Sequence, residues 1–184
     1  NGVGAKNGIL FKTAVSLEKT GKADIVVLDK TGTITKGEPT VTDIVPCNNL
    51  SQNELLSIAF TLEKKSEHPL ARAINKKAEA EGITADETEG FKALPGNGLS
   101  AFCGGVSLLG GSYGFISQHT FVPQEIKEKS EQLSHEGKTP LFFARDGKLC
   151  GIIAVADTIK EDSPEAIKEI RNMGMRVVML TGDN

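Results

Sequence analysis

Two short runs of apolar residues, one near each end of the chain, set the predicted architecture. Residues 23–28 (Ala-Asp-Ile-Val-Val-Leu) and 176–180 (Arg-Val-Val-Met-Leu) are compact and rich in β-branched or aliphatic side chains. Continuous runs of this kind are typical of strands buried on both faces of a parallel sheet. Each run leads into a polar loop, at Asp29 and at Thr181. We therefore predict an α/β sheet whose site lies at the carboxyl ends of the strands.

Helical patterns lie next to both runs. Residues 13–19 carry a short helical pattern after a glycine-containing segment that reads as turns. Ser163 is predicted as the cap of a helix and Pro164 as its first residue, and this helix is predicted to stop before Gly174.

The stretch between the two runs begins with a predicted helix pair. Ser51 and Glu54 match a capping box, and apolar residues follow at helical spacing. Pro69 breaks that pattern, and a second helix over about 70–81 is closed by Gly82.

Strand signals and one more helix complete this middle stretch. Strand-like pieces occupy about 90–109, with a hairpin turn expected at the Gly104-Gly105 pair, and Pro123 starts a helix. An Asp146-Gly147 pair between two apolar runs indicates a type I′ hairpin. We interpret the stretch as an α+β insert that splits the α/β domain. The predicted segments are residues 1–36, 37–154 and 155–184.

Composition narrows the function classes. The 184 residues carry 21 basic and 24 acidic side chains, a net charge of −3 that argues against a nucleic-acid-binding surface. No apolar stretch approaches the ~18 residues of a membrane span, and no signal peptide is visible. Cys47, Cys103 and Cys150 fit reduced thiols rather than a disulfide framework. These features predict a soluble piece in a cytosolic compartment.

The string DKTGTIT at residues 29–35 carries the most specific chemistry. An aspartate at the end of a buried strand, followed by a glycine turn, can present a carboxylate nucleophile to a phosphoryl group. Backbone N–H groups of the turn and the Thr33 hydroxyl can hold the transferred oxygens. An Asp alone at this place would be an ordinary turn residue, whereas the whole string favours the catalytic interpretation.

This string resembles the phosphorylation motif of the P-type cation-transporting ATPases, and the resemblance extends over essentially the whole chain. It implies an α/β, haloacid-dehalogenase-like (Rossmann-like) phosphorylation domain, incomplete here, split by an inserted α+β nucleotide-binding domain with an antiparallel sheet and flanking helices. It also implies that Asp29, beside Lys30, attacks the γ-phosphate of ATP. Magnesium would bind the Asp29 carboxylate and the Thr31 backbone carbonyl.

Two further strings fit the same resemblance. Thr181-Gly182-Asp183 is similar to the family's TGD loop, which implies that Thr181 hydrogen-bonds a phosphoryl oxygen and that Asp183 lies near the nucleotide phosphates. The segment from Asp157 to Lys160 resembles the family's DxxK hinge, which re-enters the phosphorylation domain. A turn or a salt bridge would be the alternative interpretation of each.

Thr31 bears on the choice between a pump and a soluble phosphatase of the same superfamily. Such phosphatases usually carry an acid two residues after the nucleophile, and threonine cannot perform acid–base chemistry near neutral pH. An aspartyl-phosphate on Asp29 is therefore expected to persist, as a transport cycle requires. The phosphatase remains an alternative, and so does a nucleotide-binding module without chemistry of its own.

The string SEHPLA at residues 66–71 points to a nucleotide site. His68 lies at a helix break, and Glu63 lies five residues earlier, so both side chains can reach one pocket. A carboxylate can accept from an adenine amino group, and an imidazole can stack on or hydrogen-bond the base. A lone His beside Pro is more often a capping or surface residue, and the intact string favours a ligand.

SEHPLA resembles the heavy-metal-transporting branch of the P-type ATPases. In that branch a Glu, the His of the His-Pro pair, a G-x-G loop and a later glycine line the ATP site. The resemblance assigns these roles to Glu63, His68, Gly96, Gly98 and Gly110, with Gly111 as the alternative for the last position.

The residues of these motifs resemble those of copper exporters most closely, with zinc or cadmium pumps as the alternative. The family's GDGxND loop, membrane helices, actuator domain and metal-binding domains are not in this sequence. We expect a fragment on the cytoplasmic side of a membrane that binds ATP or ADP, with magnesium as cofactor and little turnover of its own. The transported metal ion would be bound elsewhere in the parent, whose other domains would be the fragment's partners.

Overall fold

The computed structural model describes residues 2–6, 8–94 and 96–180. These residues form two compact units. One unit contains the described residues up to Lys36 together with those from Ile159 onward, and the other is Gly37–Thr158. The chain returns to the first unit at Ile159, a few residues beyond the expected boundary near Ala154, because a single long strand continues through that position.

The first unit is built around two parallel strands. Strand β1 (Ile25–Asp29) pairs with β8 (Arg176–Leu180) in register, so that Asp29 lies beside Leu180. Parallel pairing places the carboxyl ends of both strands at one edge, as the sequence predicted. The helices of this unit are α1 (Gly2–Lys6), α2 (Ala14–Thr20) and α7 (Ser163–Asn172).

The expectation that these strands are buried on both faces is wrong for the described residues. Ile25 and Val27 of β1 are about half exposed, at 47% and 53%, and Met179 of β8 is 53% exposed. Burial alternates along β1 because side chains of a strand point to opposite faces. One face of this two-stranded sheet is therefore open to solvent in the part of the chain that the structure describes.

Two local predictions in the first unit need correction. The glycine-containing start, expected as turns, contains helix α1. Helix α7 begins at Ser163 itself, after Asp162, instead of using Ser163 as its cap. The Ser163 hydroxyl donates to the carbonyl of Ile34 at 2.8 Å, so it is occupied by a tertiary hydrogen bond.

The second unit is a six-stranded sheet with helices packed on it. The elements in chain order are β2 (Thr35–Pro46), α3 (Gln52–Glu63), α4 (Pro69–Ala80), β3 (Glu89–Leu94), β4 (Gly98–Cys103), β5 (Val106–Gly111), α5 (Tyr113–Ile116), α6 (Gln124–His135), β6 (Thr139–Arg145) and β7 (Lys148–Ile159). The strand order is β2-β7-β6-β5-β4-β3, and the pairs from β3 to β7 are antiparallel. Strands β2 and β7 carry the chain out of the first unit and back.

The main core of this unit lies between the sheet and helices α3 and α4. Leu55, Leu56 and Leu62 of α3 and Ile74 of α4 are fully buried there with Phe143 of the sheet. A second apolar cluster contains Ile116, Ile126, Phe142 and Ile152. The alternation of sheet residues between the two clusters follows from the two-residue period of a strand.

Most local signals of the insert are confirmed. The capping box forms as predicted, with Ser51 and Glu54 bonded reciprocally at the start of α3. Both hairpin turns adopt the left-handed backbone that a type I′ turn requires. The turn residues and their φ angles are Gly104 (54°), Gly105 (79°), Asp146 (50°) and Gly147 (72°). Helix α5 and the length of β2 were not predicted, because neither has a distinctive periodic pattern.

Candidate functional site

A cleft of about 660 Å³ in the second unit brings together the residues assigned to nucleotide binding. Its wall is made of the segment between α3 and α4, of β3 to β6, and of the turn between β3 and β4. Glu63, His68, Gly96, Gly98 and Gly110 all line it. Much of the remaining wall is apolar, and the polar lining side chains include Ser66, Asn97 and Ser112. None of these three was predicted as a ligand, although Ser66 belongs to the SEHPLA string, because a single Ser or Asn in a loop carries no specific signal.

Glu63 is the last residue of α3 and is only 6% exposed. Burial raises the pKa of its carboxyl to about 7, an effect that a hydrogen bond with the Ser66 side chain partly opposes. The backbone carbonyl of Glu63 accepts from the side chain of Asn75 at 3.4 Å. The cleft therefore contains a buried acid that changes its charge near neutral pH.

His68 lies at the start of α4, where it acts as the helix cap. Its Nδ1 atom accepts from the Leu70 backbone N–H at 3.2 Å, and Pro69 occupies the first helical position. This hydrogen bond requires an unprotonated Nδ1, so a neutral ring carries its proton on Nε2. The side chain is exposed and lines the cleft. Capping and ligand contact, which the sequence posed as alternatives, are thus compatible.

Glycine is required at each of these positions in the cleft for a different structural reason. Gly96 has a φ of +74°, and a Cβ there would meet no atom within 4 Å, so a ligand has room to approach its backbone. At Gly98 a Cβ would overlap the carbonyl oxygen of Gly110. At Gly110 a Cβ would lie 2.7 Å from Leu62. Gly98 therefore lets strands β4 and β5 pack closely, whereas Gly110 leaves room for Leu62 of α3. Gly111 lines the cleft beside them.

The turn after β1 displays the phosphorylation string. Thr31 (φ −75°, ψ 121°) and Gly32 (φ 75°, ψ −10°) have the angles of a type II turn, whose third position requires glycine or a residue that tolerates positive φ. Asp29, Thr31 and Thr33 are exposed, and Lys30 is half-buried. The turn therefore presents the predicted nucleophile and its flanking hydroxyls at the carboxyl end of a strand.

Two side chains, those of Thr35 and Lys160, hold the shape of this turn. The Thr35 hydroxyl donates to the Lys30 carbonyl at 3.0 Å and accepts from the Gly32 N–H at 3.2 Å. The Lys160 ammonium donates to the Gly32 carbonyl at 2.9 Å. Lys160 was identified only as part of a hinge motif, and Thr35 only as the end of the string. The predicted residues Thr181 and Asp183 lie outside the described residues.

The turn offers magnesium a partial set of ligands. Mg²⁺ prefers hard oxygen donors and usually keeps several waters. A carboxylate at Asp29 and a carbonyl at Thr31, both on exposed residues, are donors of this kind. Within the described ranges no group of three or more His, Cys, Asp or Glu side chains is arranged to hold a metal ion.

None of the helices in residues 2–6, 8–94 and 96–180 is both long enough and apolar enough to span a bilayer.

Comparison with known proteins identifies the family. The profile of the haloacid dehalogenase-like hydrolases matches residues 23–184, and the chain belongs to this family of hydrolases. The α/β fold class predicted from the sequence is confirmed.

Curated relatives are more specific. The chain is 40% identical over 183 residues to a copper-transporting P-type ATPase of Rhizobium leguminosarum bv. viciae and 44% identical to a probable copper-exporting P-type ATPase of Archaeoglobus fulgidus. In both comparisons the match covers 100% of this chain and 22% of the relative. The chain therefore spans about a fifth of the length of these relatives.

Among solved structures, a zinc-transporting PIB-type ATPase in its E2.Pi state superposes with a TM-score of 0.88 at 35% identity, covering 98% of this chain and 29% of that one. The resemblance to the cytosolic part of heavy-metal P-type ATPases is thereby confirmed.

Proposed function

We propose that this chain is the ATP-binding and phosphorylated part of an ATP-driven heavy-metal pump, with copper as the transported metal. The observation that carries the proposal is the cleft in which Glu63, His68 and three glycines meet. The base would enter between the apolar wall and the Gly96 turn, with Glu63 and His68 as its polar contacts. Residues 37–154 would form the nucleotide-binding domain.

The chemical step would occur at Asp29. Its carboxylate attacks the γ-phosphorus of ATP, the bond to the β-γ bridging oxygen breaks, and ADP leaves while an aspartyl-phosphate forms. The turn's N–H groups and the Thr33 hydroxyl would hold the transferred oxygens, and Lys30, Thr181 and Asp183 would contribute nearby charge and hydrogen bonds. Magnesium, held in part by Asp29 and Thr31, would neutralise phosphate charge when bound.

Nucleotide binding is tested by calorimetric titration of ATP, ADP and GTP into this chain at pH 6. We expect ATP and ADP to bind in the micromolar to millimolar range and GTP to bind more weakly. Equal affinities for the three nucleotides, or no binding, would contradict the assignment of the cleft to adenine.

Phosphorylation is tested in the full-length pump with γ-labelled ATP. Asp29→Asn should abolish hydroxylamine-sensitive labelling, because an amide is not a nucleophile for phosphate. Asp24→Asn, which alters an exposed carboxylate before β1, is the matched control and should leave the labelling intact. Persistent labelling of the Asp29→Asn pump would show that the phosphate is accepted elsewhere.

The choice of metal rests on different evidence. Matches over the whole of this chain to proteins named as copper pumps support copper, and the similarity to a zinc-transporting structure keeps zinc as the second candidate. Stimulation of the full-length pump's ATPase by Cu⁺ and not by Zn²⁺ is the expected result.

A further inference from the structure

We propose that Glu63 selects adenine as a neutral carboxylic acid, donating one hydrogen bond to the base and accepting another from it. The inference rests on the proposed function, because it concerns how the same cleft recognises its base. It differs from the simpler interpretation, in which an ionised carboxylate only accepts from the adenine amino group.

The position of Glu63 in the fold disfavours its ionised form. The side chain is 6% exposed and sits on the final residue of α3. A helix carries partial negative charge at its carboxyl end, so a carboxylate there is repelled by the helix as well as deprived of water. The pKa of about 7 that burial gives this group agrees with both effects in direction.

The surroundings of Glu63 supply little positive charge to stabilise its ionised form. The residues that α4 and strands β3 to β6 contribute to the cleft wall are all apolar or glycine. The titratable lining groups are Lys65, Glu67 and His68, all exposed and all on the segment that joins α3 to α4. The Lys65 ammonium donates to the carbonyl of Thr88 at 2.6 Å, so it is held by a partner other than Glu63.

The hydrogen-bonding edge of adenine matches a neutral acid. N1 is an acceptor and the N6 amino group is a donor, so the O–H of a protonated carboxyl can donate to N1 while its carbonyl accepts from N6. An ionised carboxylate has no donor and would face the N1 lone pair. Guanine presents donors at N1 and N2, which suit the ionised form. The protonation state of Glu63 would therefore decide which purine the cleft prefers.

The first test compares ADP binding at pH 6 and pH 8 in the wild-type chain and in Glu63→Gln. Glutamine has the donor and acceptor of the neutral acid but does not titrate. If only neutral Glu63 binds adenine, the ratio of Kd at pH 8 to Kd at pH 6 should be about tenfold larger in the wild type than in the variant. Titration of the ADP phosphates affects both proteins, so the comparison removes that contribution.

The second test needs no variant. Calorimetry in buffers of different ionisation enthalpy should show that wild-type protein takes up close to one proton from the buffer when it binds ADP at pH 8.

The analogue 1-deaza-ADP lacks the N1 acceptor and should bind at least tenfold more weakly than ADP at pH 6. The analogue 7-deaza-ADP keeps N1 and N6 and is the matched control, so it should bind within a few-fold of ADP.

Three results would overturn the inference. One is equal pH dependence in the wild type and Glu63→Gln; another is ADP binding without proton uptake at pH 8; the third is 1-deaza-ADP binding as tightly as ADP. Each leaves nucleotide binding itself intact, so the proposed function would survive. Absence of ADP binding by the wild-type chain at every pH would instead overturn both.

Discussion

The ammonium of Lys160 donates a hydrogen bond to the carbonyl oxygen of Gly32, across 128 residues of sequence, at an N–O distance of 2.9 Å. Nearby, the Lys160 backbone N–H donates to the Ile34 carbonyl at 3.0 Å. The first residues after the insert are therefore bonded directly to the turn that follows Asp29. This gives the DxxK segment a definite structural role, since it fixes the backbone that presents the predicted nucleophile.

Lys160→Met should loosen that turn while keeping most of the side chain's length. A hydrogen bond from a charged donor contributes about 1.5–3 kcal/mol where water is excluded, and partial exposure of Lys160 places the loss of stability nearer 1 kcal/mol. We expect slower phosphorylation of Asp29 in the full-length pump, with nucleotide affinity of the second unit unchanged. Labelling rates and calorimetry measure the two effects. Lys168→Met, on helix α7 of the same unit, is the control and should alter neither quantity.

His68 is expected to have two separable roles. His68→Ala removes the helix cap and should lower the free energy of unfolding by about 1 kcal/mol, whereas His68→Asn restores a side chain that caps well. Both variants lack the imidazole and should bind ATP more weakly, by about 1–3 kcal/mol. Urea unfolding and calorimetry on the same samples separate the roles. Wild-type affinity in His68→Asn would mean that the imidazole contributes only through the cap.

Gly96 and Gly98 should respond differently to alanine. In Gly98→Ala the new Cβ would overlap the Gly110 carbonyl, so β4 and β5 must move apart and stability should fall by at least about 2 kcal/mol. Gly96→Ala meets no atom and suffers only from its positive φ, about 1 kcal/mol. We expect Gly96→Ala to weaken nucleotide binding in a protein that remains folded, as circular dichroism would verify. If Gly98→Ala is the milder change in urea unfolding, the close approach of β4 to β5 is not a constraint on this position.

Glu63 should make stability depend on pH with a definite sign. Its pKa is about 7 in the folded chain against an ordinary 4.5, so the folded state binds the extra proton between these values. The free energy of unfolding then keeps its full value below about pH 4.5. It declines as the pH rises through 7, by up to about 3 kcal/mol. Glu63→Gln should remove this decline. Urea unfolding at pH 5 and pH 8 measures it, and parallel curves for the two proteins would mean that Glu63 titrates normally.

The sequence by itself determined the local structures whose chemistry is contained in a few neighbouring residues. The capping box at Ser51, the turn at Asp146-Gly147 and the helix break at Pro69 each depend on backbone and side-chain preferences that operate within four residues. The string at residues 29–35 likewise predicted its local structure, because an aspartate beside a glycine turn is itself a local arrangement. The family followed from these strings.

Only the tertiary structure decided properties that depend on distant neighbours. The half-exposed faces of β1 and β8 were misread because an apolar run does not reveal what covers each face of a sheet. The sequence predicted Glu63 as a ligand, but the raised pKa of its carboxyl comes from its burial in the folded chain. Gly98 and Gly110 are likewise required by neighbours distant in sequence, the Gly110 carbonyl at Gly98 and the Leu62 side chain at Gly110. Burial and charge are set by residues far apart in the sequence, and their effect on a side chain therefore appears only when the chain has folded.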